Sequence, residues 1–497
     1  MSPLLVGVDL GAGGVKVSVI EPDGSTVAEG SASISTRTPR FGWAEQDPEE
    51  WWRATCAAIR AALELLGDRS SAIAAVGVSG GAHIGVLTGD DGVPVRPAIL
   101  WSDSRSATEA AELRDRADAR IIELSLNRAN PTWLLPQLLW IGRHDPVAAA
   151  ATRRLFISKD WLRFRLCGSW CTDFSDVVGA LLADARTGGW STELCELAGW
   201  DPATLPPIVA PTALAGEVTA EAAAACGLPA GTPVVCGSND TTVELFGAGA
   251  VSAGDGAVKL ATAGVVSQVT DGPLVRPPVS CYPSVVEGRY YTATGINSCA
   301  SAHRWARDRF FAGDGFDSMD AAAATVAPGS DGLLFHPYLQ GERAPHWDPQ
   351  LRADFVGMTM QHDRAHFARA VYEGIAFAIC DAMTAAEALG MRYDNVRLIG
   401  GGARSRTWRQ IMADVLGRPI VVPANGDASF GAAMVAGIGV GVFEGPDDAV
   451  ERCVRVTSMH EPDPAVHTAY QHLFTVYRDV QQRLVEPNHR LHALTAG

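Results

Sequence analysis

The sequence predicts an α/β protein built as two similar domains, and three observations carry that prediction. The chain has 497 residues, more than a single hydrophobic core organises. A strand–glycine-turn–strand unit opens each half: Val6-Gly-Val-Asp-Leu-Gly-Ala-Gly-Gly-Val-Lys16 and Gly256-Ala-Val-Lys-Leu-Ala-Thr-Ala-Gly264. In both halves, period-two apolar runs alternate with helical stripes, which indicates mixed sheets covered by helices. The break is expected near Phe246, giving domains 1–246 and 247–497.

The elements follow in order. Val15, Val17 and Val19 alternate with Lys16 and Ser18, so a strand follows the first turn. Pro22-Asp-Gly24 turns the chain into another strand over Thr26–Ser33. Asp47-Pro-Glu-Glu50 reads as a capping-box helix start, and Trp52, Cys56, Ile59, Leu63 and Leu66 form its buried stripe. Ala75–Ser79 is a buried strand, and Ile84–Leu87 with Val93–Leu100 predict a hairpin around Gly89-Asp-Asp-Gly92. In the second half, strands are expected at Ala257–Ala261, Val265–Val269, Arg289–Thr294 and Val396–Ile399. Helices are expected at His366–Leu389 and from Arg406 to Leu416, the latter ended by Gly417 and Pro419.

Bulk composition narrows the function. Hydrophobic residues make up 47% of the chain, with a formal net charge of −16. That acidity argues against nucleic acid or an anionic membrane as the main partner. The 10 cysteines are scattered and read as reduced, buried thiols. Asp9 interrupts the first apolar run, no basic region precedes it, and Phe430–Phe443 is too short to span a bilayer. A cytoplasmic protein is expected.

Several short stretches carry chemistry. Asp9-Leu-Gly-Ala-Gly-Gly14 is not a dinucleotide fingerprint, because a strand rather than a helix follows. Its backbone N–H groups could still cradle phosphate, as could any tight hairpin turn, and Asp9 beside it could hold Mg²⁺ through water. Asp240, in Cys236-Gly-Ser-Asn-Asp-Thr-Thr-Val243, could take a proton from a substrate hydroxyl as phosphate arrives. His83 ends a strand beside glycines; Trp101-Ser-Asp-Ser-Arg105 offers a carboxylate and a guanidinium, either for a substrate or as a local ion pair. Gly400-Gly-Gly-Ala403, between a strand and a helix, lets a flat base approach the backbone.

Taken in order, these stretches resemble the FGGY carbohydrate kinases, and among them the xylulokinases. The resemblance rests on Asp9-Leu-Gly11, Trp43-Ala-Glu-Gln-Asp-Pro48, Pro97-Ala-Ile-Leu-Trp101, Asp240, Tyr338-Leu-Gln-Gly-Glu-Arg-Ala-Pro-His346 and Leu398-Ile-Gly-Gly-Gly-Ala-Arg-Ser405. It implies two actin-like, ribonuclease H-like domains with an active-site cleft between them, the first for sugar and catalytic base, the second for nucleotide. It implies ATP and Mg²⁺, a sugar substrate, no nucleic acid or membrane partner, and admits a homodimer. Asp240 then matches the catalytic base, and Asp9 with Asp240 the metal site. His83, Ala82, Asp103, Arg105, Asp240 and Thr241 fall at the sugar. Gly11, Ala12, Gly13, Lys16, Thr262, Gly264, Gly401, Gly402, Ala403 and Ser405 fall at the nucleotide.

This chain departs from the family pattern where hydroxyls and amides are usual. The first phosphate loop reads Gly11-Ala12-Gly13 in place of Gly-Thr-Ser, and the second Ala261-Thr262-Ala263-Gly264 in place of Gly-Thr-Ser-Gly. Gly81-Ala82 replaces Gln-Met before the histidine, and Thr241 replaces an asparagine. The resemblance implies phosphorylation of D-xylulose to D-xylulose 5-phosphate first. Another ketose, a tetritol or a gluconate-like acid comes next, and a non-catalytic sugar- or nucleotide-binding relative last.

Overall fold

The computed structural model describes residues 2–495. It divides into two compact units that are interleaved in sequence. The first comprises 1–251, 270–291 and 425–455; the second comprises 252–269, 292–424 and 456–497. The sequence expectation was two contiguous stretches meeting at Phe246, a residue that lies within the buried helix Asp240–Gly247.

In the first unit, β1 (Leu4–Gly11), β2 (Gly14–Ile20) and β3 (Thr26–Ser33) form an antiparallel meander. A short strand β4 (Glu45–Gln46) leads into α1 (Pro48–Leu66), and β5 (Ile73–Gly80) then pairs parallel with β1. Asp47 caps α1 by accepting from Glu49 N, with Pro48 at the first turn. The expected capping box does not form, because Asp47 accepts from the second helical residue rather than the third, and Glu50 accepts from the amide and hydroxyl of Ser35 instead. The hairpin expected around Gly89–Gly92 forms only near its turn, where Gly89 N donates to Val93 O at 3.1 Å and Val95 N to Leu87 O at 2.8 Å. Strand Gly85–Thr88 pairs with Arg154–Ile157, and Ala98–Ile99 pairs with β4. Pro94 and Pro97 lack the N–H groups that a continuous ladder needs, so the pairing stops after the turn and the bridge between Thr88 and Pro94.

The uncharged run after Asp427 forms the helix Ala428–Gly439, and it explains why 425–455 joins the first unit. A helix apolar on all sides must be buried, and this one lies on β1 and β5. A Cβ at Gly7 would sit 1.8 Å from Ser429 O, and one at Gly77 2.1 Å from Ala432 O, so both strands need glycine there.

In the second unit, strands Gly264–Thr270, Asp255–Leu260, Asn395–Ile399, Ile420–Pro423 and Val456–His460 lie side by side in that order. The helices Arg364–Ala388 and Arg406–Leu416 formed as the sequence predicts, and Gly417 ends the second in the left-handed conformation at φ 64°. Among the described residues, no helix is long and apolar enough to cross a membrane.

Candidate active site

Strand register assembles the first unit's site. Asp9 of β1 stands opposite Ser79 of β5, and Ser79 stands opposite Ser238 of the strand Ser238–Asn239, all parallel. Neighbouring strands lie about 4.8 Å apart, so three carboxyl ends emerge at one sheet edge. They carry Asp9 with the first glycine turn, Gly81–His83, and Asp240. That edge is where open α/β sheets bind ligands. Asp9 Oδ1 accepts from Ser79 Oγ at 2.7 Å.

Asp240 opens the helix Asp240–Gly247, whose N-cap is Asn239. Its Oδ1 accepts from Thr241 N at 2.6 Å and from Thr241 Oγ1 at 3.3 Å. Thr241 therefore orients the carboxylate rather than standing apart as an independent sugar donor.

His83 adopts φ 71°, uncommon for a residue with a side chain. Its ring stacks on Trp133 at 4.1 Å, and Nε2 is hydrogen-bonded to the Tyr282 hydroxyl at 2.8 Å. Burial pushes its pKa down to about 3, so the imidazole is neutral. The Tyr282 phenol is itself pushed up, by burial first and then by the Asp240 carboxylate. Trp133, Tyr282 and the buried Tyr291, hydrogen-bonded to Thr242, escaped the sequence reading. Their partners lie tens to about two hundred residues away in sequence, and no local pattern marks them. Ala82 is half-buried beside His83; a Cβ at Gly81 would meet Ile84 Cδ1 at 3.1 Å and Trp101 Cδ1 at 4.0 Å. Ile84 and the exposed Trp101 thus border the space that a larger side chain would fill.

Asp103 and Arg105 need correcting as sugar contacts. Asp103 is buried and accepts from Ala44 N, Arg105 N and the Arg105 guanidinium. Arg105, its side chain fully buried, also pairs with Glu45 at 2.6 Å and lies 3.7 Å over the Trp43 ring. Both oxygens of Asp103 and all three side-chain nitrogens of Arg105 are engaged within the protein. The pair fixes β4, and the next residue, Gln46, reaches the first turn: its Nε2 donates to Ala12 O at 2.7 Å. Ile34 N takes Gly13 O at 3.1 Å. With their carbonyls held from behind, Ala12 and Gly13, both exposed, can present N–H groups outward, and Gly11 closes the hairpin opposite Gly14. Lys16 is a second correction. Its ammonium is held by Asp427 at 2.6 Å and Glu29 at 2.9 Å instead of being reserved for phosphate.

The second unit repeats the device with different parts. The turn Ala261–Gly264 follows the strand Asp255–Leu260, and Gly400–Ala403 follows the neighbouring parallel strand Asn395–Ile399. Ala300 N takes Ala261 O at 2.8 Å, while Cys299 N, Ser301 N and Ser301 Oγ take Thr262 O. Thr262 is exposed, and Gly264 packs against Ile296. A Cβ at Gly400 or Gly402 would run into Leu260, whereas Gly401 faces open space. Ala403 is buried behind it. Ser405 caps the helix Arg406–Leu416 through Trp408 N and donates to Asp320, so its hydroxyl is spent on structure rather than on nucleotide. Among the described residues no cluster of three or more His, Cys, Asp or Glu side chains could hold a metal by itself.

Two family models match this chain: the N-terminal domain of the FGGY family of carbohydrate kinases over 4–247 and the C-terminal domain over 249–440. The chain belongs to the FGGY family. It is a carbohydrate kinase, a phosphotransferase with a sugar hydroxyl as acceptor. A xylulose kinase of Escherichia coli is 33% identical over 489 residues, covering 97% of this chain and 99% of the relative. The crystal structure of xylulose kinase from Rhodospirillum rubrum superposes with TM-score 0.86 at 29% identity, covering 98% of this chain and 100% of that one. That of gluconate kinase from Lactobacillus acidophilus gives TM-score 0.89 at 25% identity, covering 97% and 98%. Within the family, then, the identity of the sugar is a question for the site.

Proposed function

We propose that this kinase transfers the γ-phosphoryl group of MgATP to a hydroxyl of D-xylulose, with Asp240 as the general base. The observation that carries the reading is the register that brings Asp9, His83 and Asp240 to one sheet edge in the first unit. Asp240 accepts the hydroxyl proton as the oxygen attacks phosphorus in line and the bond to the β-phosphate oxygen breaks. Outward N–H groups of the first turn stabilise the charge on the transferred group.

The donor set suits Mg²⁺. It offers carboxylate oxygens, Asp9 and Asp240, without His or Cys, and Mg²⁺ binds through one or two carboxylates plus phosphates and water. Asp9 and Asp240 would hold it, and it would neutralise phosphate charge. The cysteines are all free, which suits a reducing compartment and supports a cytoplasmic enzyme.

A neutral sugar fits better than a sugar acid. A carboxylate substrate calls for a free cation, but His83 is neutral and Arg105 is already neutralised by Asp103 and Glu45. The test is a coupled ADP-release panel of D-xylulose, L-xylulose, D-ribulose, erythritol and D-gluconate. D-Xylulose should show the highest kcat/KM. A higher value for D-gluconate would overturn the neutral-sugar reading, and no turnover with any sugar would overturn the catalytic one.

A further inference from the structure

Beneath the segment that carries Asp240 lies a cluster of five fully buried charged side chains. Lys159, Asp160 and Arg163 come from the helix Ser158–Cys167, Asp173 caps the helix Phe174–Gly179, and Asp176 sits in its first turn. Lys159 Nζ lies 2.6 Å from Asp160 Oδ1, 3.0 Å from Asp173 Oδ1 and 3.1 Å from Asp176 Oδ2. Arg163 Nη1 donates to Asp160 Oδ1 at 2.7 Å and to Cys236 O at 2.9 Å. Three carboxylates thus face two cations. Burial, then the neighbouring Asp173 and Asp160, holds the Asp176 carboxyl well above the usual range against the pull of Lys159.

Apolar side chains of similar volume fill a core as stably as buried ions do, so such a network needs a reason beyond filling space. Its connections supply one. Ser238 Oγ donates to Asp173 Oδ2 at 2.7 Å, and Ser175 N donates to the same oxygen at 3.2 Å. Asn239 Nδ2 donates to Ser175 Oγ at 2.7 Å, while Asn239 Oδ1 accepts from Thr242 N at 3.0 Å. Ser238 and Asn239 are the two residues before Asp240, so the network grips the strand-to-helix joint at the point where the carboxylate emerges.

We propose that Lys159, acting through Asp173 and Ser238, is a positioning residue for Asp240: its charge fixes the Asp173 carboxylate that holds the joint in register. This rests on Asp240 being the base. Lys159→Met leaves buried carboxylates unpaired and can unfold the protein, so Ser238→Ala, which removes a single hydroxyl, carries the test beside it.

Both variants, Asp240→Asn, and the double variant Ser238→Ala/Asp240→Asn are assayed with ATP and the best sugar of the panel. A lost hydrogen bond to a charged group predicts that Ser238→Ala lowers kcat roughly 10-fold, with the KM for ATP within about twofold. In the Asp240→Asn background the same change should cost nothing further, because the group it positions is gone. A folded Lys159→Met protein should behave as Ser238→Ala does. Unchanged kcat in Ser238→Ala, or a full additional loss in the double variant, overturns the positioning role. Normal turnover by Asp240→Asn itself is a different result: it removes the base assignment and the positioning role with it.

Discussion

The two glycine turns are built alike but held by different supports. The first, Gly11–Gly14, is a two-residue hairpin whose carbonyls are held by one side chain, Gln46, and one backbone amide just past β3, Ile34 N. The second, Ala261–Gly264, is held by consecutive amides, Cys299 to Ser301, where the helix Ala300–Phe310 begins. A helix start has unsatisfied N–H groups to give, and no side-chain substitution removes them. The difference teaches where each half is vulnerable: the first turn depends on particular side chains, the second on the course of the backbone. It also bears on the missing hydroxyls of Ala12 and Ala263, since the backbone N–H groups of a turn survive any side chain.

The largest contrast should come from the glycines that close the turns. A Cβ at Gly14 would sit 2.5 Å from the backbone oxygen of Ala32, whereas one at Gly264 would meet the side chain of Ile296 at 2.7 Å. Gly14→Ala should therefore cost about 1–3 kcal/mol and raise the KM for ATP, and Gly264→Ala less than half as much, read by denaturant unfolding and ATP titration. Equal costs would break the comparison.

Next is Gln46→Leu. It frees Ala12 O and also strips the Trp51 indole N–H of its acceptor, a loss of about 1–3 kcal/mol. We expect a several-fold higher KM for ATP, while Ser301→Ala, which leaves three backbone amides on the second turn, should change little.

A pH experiment sharpens the contrast further. Gln46 is neutral, but Glu342, which accepts from Asn297 N and Arg343 N beside the second turn, is buried, and burial pushes its pKa up to about 7. The folded protein then binds a proton that the unfolded chain releases near pH 4.5. Stability contributed by the protonated form is lost as pH rises from about 4.5 to 7, by up to about 3 kcal/mol. Glu342→Gln should flatten that slope in urea melts, and an unchanged slope would remove Glu342 from the account. The smallest expected effect is Ala12→Thr: activity retained, with the KM for ATP lowered modestly or not at all.

Much of this was legible beforehand. The valine alternation, the helix start at Asp47-Pro48, Gly417 and the turn glycines are local signals, and each formed where it was read, although the capping box did not close. The long-range parts were not. Tyr282 reaches His83 across nearly two hundred residues, and the run Ala428–Gly439 returns to the first unit's sheet, marked only by its lack of charge. Asp103 and Arg105 show the limit in another way. The same two side chains suit a sugar or an ion pair equally well, and only the positions of Glu45, Ala44 and Trp43 decide between them.

The central claim, that Asp240 is the base of a sugar kinase, is tested most directly by steady-state kinetics of Asp240→Asn. The account predicts a kcat lower by roughly 10²–10⁴-fold with the KM for ATP nearly unchanged, because both turns remain intact. Turnover close to that of the unaltered enzyme would contradict it.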